Sequence, residues 1–141
     1  MDVWRAVEER RIALAERVGG LDSAQWDAPS WCEGWRVRDV FAHLVHLAEA
    51  TQWSMTRDLL ANGVAPNKAL DRVARRLADE PQSELASRLT AAADGRYHVV
   101  GSPAAVALGE VITHAADLLL LLANRSQSID CLAGPGVAAL Q

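Results

Sequence analysis

The chain has 141 residues, a length that suits one compact domain with a core of its own. Half of the residues are hydrophobic and 23% are charged, which excludes the polar, highly charged composition of a disordered chain. The formal net charge of −4 excludes the basic face that a nucleic-acid partner requires.

Alanine (26 residues) and leucine (18) dominate; both are strong helix formers, so the fold class is read as all-α. A single Tyr and a single Phe argue against a β-sandwich. The two cysteines, Cys32 and Cys131, form no CxxC pair and no disulfide framework, so a reducing, cytoplasmic setting is expected. The N-terminus becomes charged at Asp2 and Arg5 with no apolar run, so no signal peptide is expected.

In chain order, Trp4, Val7, Leu14 and Val18 recur on one face and predict a helix over Val3–Val18. Asp2 is its N-cap and Gly19-Gly20 its stop. Arg11 interrupts the apolar stripe and is expected at the core edge, stem packed and head in water. The connector from Leu21 to Trp35 holds Trp26, Trp31 and Trp35, too much apolar area for a free loop. It is expected to pack over one end of the domain. A second helix is predicted from Val37 to Ala61, ended by Asn62-Gly63. A third helical region begins after Pro66, breaks at Pro81 and runs to Ala93. After the connector from Gly95 to Ser102, Pro103 opens a fourth helix that reaches Asn124. Together these predict a four-helix bundle, a single domain over 1–141 with 126–141 as an irregular tail.

The fourth helix carries the chemistry. From Ala104 to Ala123 it is nearly all apolar, so it is first tested as a membrane span. Glu110, His114 and Asp117 lie inside it, and each charge at mid-membrane would cost about 2.5–3.5 kcal/mol. It is therefore read as a buried bundle helix, and no membrane partner is expected. Glu110, Thr113, His114 and Asp117 are spaced i, i+3, i+4, i+7 and form one stripe. Such a stripe is too narrow for a solvent face. It faces a polar pocket within the bundle, or another chain hides it. Buried carboxylates and imidazoles need partners, and one metal ion satisfies both. Glu110 and His114, one turn apart, can share a cation. His43, at the edge of the second helix's apolar face, is the candidate third ligand, with His46 as a substitute. The plain alternative for His43 is a core-edge histidine bonded to a carbonyl. His98 is expected in solvent. The run Leu118–Leu122 puts leucine all round the helix, which points to a homodimer interface or to coverage by the tail.

Two motifs carry a family resemblance. The stretch Pro29–Leu44 (PSWCEGWRVRDVFAHL) has a Cys-x-Gly-Trp run followed eight residues later by His43. The stretch Gly109–Asp117 (GEVITHAAD) has a Glu-xxx-His pair and a following Asp. Both resemble the mycothiol-dependent maleylpyruvate isomerase N-terminal domain, a branch of the DinB-like superfamily, over roughly Val3 to Asn124. The resemblance implies a DinB-like four-helix bundle with a divalent metal held by His43, Glu110 and His114. Three protein ligands leave coordination positions open, as in a catalytic site. Zn²⁺ suits the donor set best, with Ni²⁺ and Fe²⁺ as alternatives. It further implies a thiol transferase or isomerase-like enzyme: the metal binds the sulfur of mycothiol, and the thiolate adds to an electrophilic small-molecule substrate. A non-catalytic metal-binding or dimerising bundle, and a metal-independent helical interaction domain, are the alternatives. Within the motifs, Cys32 is expected to be structural, under the tryptophans. Asp39 accepts a hydrogen bond from His43 and orients it, or is a charge at the helix N-terminus. Asp117 accepts from a ligand and orients it, is a fourth ligand, or is an ion-pair partner. Arg36 stands where the family has Ser or Thr, which removes an N-cap oxygen.

Overall fold

The structure is a computed structural model that describes residues 2–62, 65–99 and 101–126, with the side chains of the last helix described to residue 115. Its described residues form seven helices joined by connectors, with no strand beyond an isolated bridge between Pro29 and Arg36. The all-α fold agrees with a DinB-like arrangement. The predicted tail and the leucine run, with Asp117, lie outside the described residues or side chains.

Helix α1 spans Val3–Val18, capped as the sequence predicts: the Asp2 carboxylate accepts from the Trp4 N–H at 3.0 Å. It buries Val7, Leu14 and Val18, each stabilising by about 1.5–3 kcal/mol. Arg11 is not at a wet core edge. It is 3% exposed, and its Nη1 donates to the carbonyls of Ala93 (3.1 Å) and Gly95 (2.7 Å). Those carbonyls lie past the end of a helix and have no helical donor, so they draw in the guanidinium head that the sequence reading left in water.

The connector begins with a one-turn helix, α2 (Ser23–Trp26), held by reciprocal Asp22 and Gln25 bonds. Of the three tryptophans here, Trp26 is buried edge-on against Phe41 at 5.7 Å. Trp35 is partly buried, and Trp31 is 58% exposed, against the expectation that all three pack. The chain turns back at Gly34, whose φ of 76° lies in the left-handed region. The Gly34 carbonyl accepts from Arg75, and Trp35 Nε1 donates to Asp71, so the connector is tied to a later helix.

The predicted long second helix is two helices, α3 (Val37–Glu49) and α4 (Gln52–Asn62). Ala50 is extended, and Thr51 and Ser54 exchange backbone-to-hydroxyl bonds of 2.9 and 3.1 Å. Local hydroxyl bonds of this kind compete with the helix ladder and restart it in a new direction. At the start of α3, Arg36 has no oxygen to cap with. The Asp39 carboxylate accepts the Arg36 N–H instead, at 2.8 Å. The proline break at Pro81 appears as predicted, separating α5 (Pro66–Leu77) from α6 (Gln82–Ala91). The last helix, α7, spans Ala105–Ser126.

Helix α3 is central: it packs on α5, α6 and α7, while α1 packs on α6 and α7. Its buried residues Val40, Phe41, Leu44 and Val45 form the middle of the core. Among the described residues no helix is long and apolar enough to cross a membrane.

Candidate metal centre

The α3–α7 contact sets the site. His43 projects from the third helix, and Glu110 and His114, one turn apart, project from the last. One ligand atom from each lies within 4.8 Å of the other two. The carboxylate Oε2 of Glu110 is 3.4 Å from His114 Nε2 and 4.0 Å from His43 Nε2. The two imidazoles meet edge to face with centroids 5.5 Å apart.

Ligand bonds of about 2.1 Å in a tetrahedral site place donor atoms about 3.4 Å apart. The His114–Glu110 edge already has that spacing, the His43–Glu110 edge needs a movement of well under an ångström, and the third edge, no longer than 4.8 Å, closes by rotation of the two imidazoles. The residues therefore fit a small divalent cation. The donor set of two imidazoles and one carboxylate suits Zn²⁺, Ni²⁺ or Fe²⁺.

Electrostatics favour the ligating protonation states. Burial, helped by His114 and opposed by Glu110, pulls the His43 imidazole down to about 4. It is neutral at physiological pH, the form that binds metal. The hydrogen bond from His114 holds Glu110 below the usual carboxylate range, against the effect of its own partial burial.

The surroundings refine the reading. Trp35 meets the His43 ring edge to face at 5.4 Å and limits its swing. Cys32, expected under the tryptophans, is half-buried with its Sγ 3.8 Å from His114 Nδ1. His46 is not a substitute ligand. Nearly one turn on from His43, it sits 3.6 Å from Asp58 of α4 and does not join the three clustered residues. Asp39 does not orient His43. It is fully buried and its oxygens accept from the backbone N–H, Nε and Nη2 of Arg36 (2.8, 3.0 and 3.1 Å). Among the described residues, the buried His43 Nδ1 has no hydrogen-bond partner. Asp39 is thus the N-terminal charge of α3, the other half of the sequence expectation. Thr113 is exposed, so the polar stripe divides: Glu110 and His114 face the site and Thr113 faces water. His98 is partly covered, its ring 5.8 Å from that of Trp4.

Two of these neighbours, Trp35 and the Cys32–His114 contact, escaped the sequence reading as parts of the site. The connector motif placed both eight to eleven residues before His43, but nothing in its spacing says that it folds back onto α7.

Comparison with curated proteins and with solved structures finds no match. The family model of the mycothiol maleylpyruvate isomerase N-terminal domain matches residues 7–119. That span holds both motifs and all three clustered residues, and the chain belongs to the mycothiol maleylpyruvate isomerase N-terminal domain family.

Proposed function

We propose that the protein is a metal-dependent thiol transferase or isomerase-like enzyme whose cation is held by His43, Glu110 and His114. The observation that carries this is the convergence of three ligand atoms from two helices within 4.8 Å. A divalent cation held there would act as a Lewis acid and favour the nucleophilic thiolate form of a low-molecular-weight thiol such as mycothiol.

The chain's own residues set the terms. Two neutral imidazoles and one carboxylate leave a divalent cation with one positive charge uncompensated, which favours an anionic sulfur over a neutral ligand. Three protein donors leave room for that sulfur. Glu110 has a side chain 44% exposed, so the site opens to solvent and to a small-molecule substrate, while His43 on the other side is sealed in the core. Trp35 keeps the His43 ring in its ligating orientation.

The test has two stages. Purified protein is expected to carry about one equivalent of Zn, Ni or Fe, and His114→Ala to lose it. Metal-loaded protein is then assayed for conjugation of mycothiol to a panel of electrophiles. Metal without turnover leaves a binding protein; no metal even after reloading defeats the proposal.

A further inference from the structure

A cavity of about 160 Å³ lies beside the metal centre and shares His43 and Glu110 with it. Leu44 and Leu47 of α3, Leu70 of α5 and Val111 of α7 give it apolar walls, and the connector at 97–99 lines it too. A core cavity of about 150 Å³ accommodates a benzene molecule, so the space fits an apolar group of roughly that size.

One wall is cationic. Arg11 lines the cavity while 97% removed from solvent. Among the described residues both of its hydrogen bonds leave from Nη1, to the carbonyls of Ala93 and Gly95, and its buried Nε finds no acceptor. No carboxylate lies within ion-pair distance of it among the described residues; Asp94 acts on it only through space. Arginine stays protonated in proteins, so this is a buried cation with neutral partners, an arrangement that favours an anion as its missing counter-charge.

The connector that presents those carbonyls is itself fixed. A Cβ at Gly95 would overlap the Ala48 carbonyl oxygen, so the chain passes α3 closely only because Gly95 has none. Gln52 Nε2 donates to the His98 carbonyl at 2.8 Å. Arg11 is therefore held in place before any ligand arrives.

We propose that this cavity is the substrate chamber and that Arg11 recognises the carboxylate of a benzene-sized, otherwise apolar monoanion. The anionic end belongs on the Arg11 side: in the metal-free chain Glu110 repels it at the other end, and in the metal-loaded enzyme the open coordination position there belongs to the thiolate. The rest of the molecule lies against the leucines with its reactive end toward His43 and Glu110. This deepens the proposed function and rests on it for the chemistry, but the binding does not need the metal.

Benzoate and benzyl alcohol, equal in size and different in charge, serve as probes of the full chain by isothermal titration calorimetry, after chelation and again after zinc loading. Chelated wild type is expected to bind benzoate at least about tenfold more tightly than benzyl alcohol. Arg11→Gln is expected to bring the two within about twofold, and Ala107→Phe, which fills the cavity, to abolish both. The proposal is overturned by any of three results: no benzoate binding or no charge preference in wild type, the same preference in folded Arg11→Gln, or benzoate binding that appears only with zinc. Should Arg11→Gln not fold by circular dichroism, Ala107→Phe decides, and undiminished benzoate binding there overturns the proposal. A protein that binds benzoate selectively but never zinc loses the metal reading alone; one that binds zinc but not benzoate loses the chamber alone.

Discussion

Acid is expected to unfold the metal-free protein through His43. In the folded chain burial holds this imidazole at about 4, whereas an unfolded histidine titrates near 6.5. The folded value is the lower one, so the unfolded state takes the proton first. The stabilisation is whole above about pH 6.5 and drains away as the pH falls toward about 4. The loss is about 2 kcal/mol at pH 5 and about 3 kcal/mol when complete, a large share of the ~5–15 kcal/mol that holds a domain together. Urea unfolding of chelated protein at a series of pH values from about 7.5 to 4.5 measures it, for wild type and for His43→Gln. Burial also lowers His46, so both proteins lose stability in this range, and the difference between them isolates His43. Wild type is expected to fall about 2 kcal/mol further than the variant by pH 5. Parallel curves would refute the reasoning, since they would mean that His43 is solvated and protonates freely in the folded state.

Other outcomes follow from named contacts. Arg36→Met strands the fully buried Asp39 carboxylate without its guanidinium, and a loss of roughly 2–4 kcal/mol is expected in urea unfolding, largely recovered by adding Asp39→Asn. Gly95→Ala forces the connector away from Ala48 and should cost at least about 2 kcal/mol, read as a lowered thermal midpoint. Glu110→Gln keeps the shape of the site but removes the only negative charge among its described residues, so zinc affinity measured by competition with a chromophoric chelator should fall at least about tenfold while stability changes little. Thr113→Ala, on the exposed side of the same helix, should leave zinc affinity within about twofold.

Much of this protein was legible in one dimension. Helix periodicity, the Asp2 cap and the proline breaks are local effects, carried by residues within a turn of one another, so α1, α5, α6 and α7 emerge at the predicted places. The Glu110–His114 pair is likewise a local fact of helix spacing. The break between α3 and α4 was also written locally, in Thr51 and Ser54, but a continuous apolar stripe across it outweighed two hydroxyls.

Arg11, Asp39 and Cys32 were decided elsewhere. Arg11 interrupts an apolar stripe, which by itself places it at the core edge with its head in water; carbonyls more than eighty residues away draw the head inside. Asp39 had two roles open to it, orienting His43 or charging the start of α3, and its bonds to Arg36 at that start decide for the second. Cys32 meets His114 only because the connector folds back toward the last helix. Spacing along a helix determines which side chains share a face, because the backbone repeats. Which distant group occupies the space opposite that face depends on how the helices pack, and only the tertiary structure decides it.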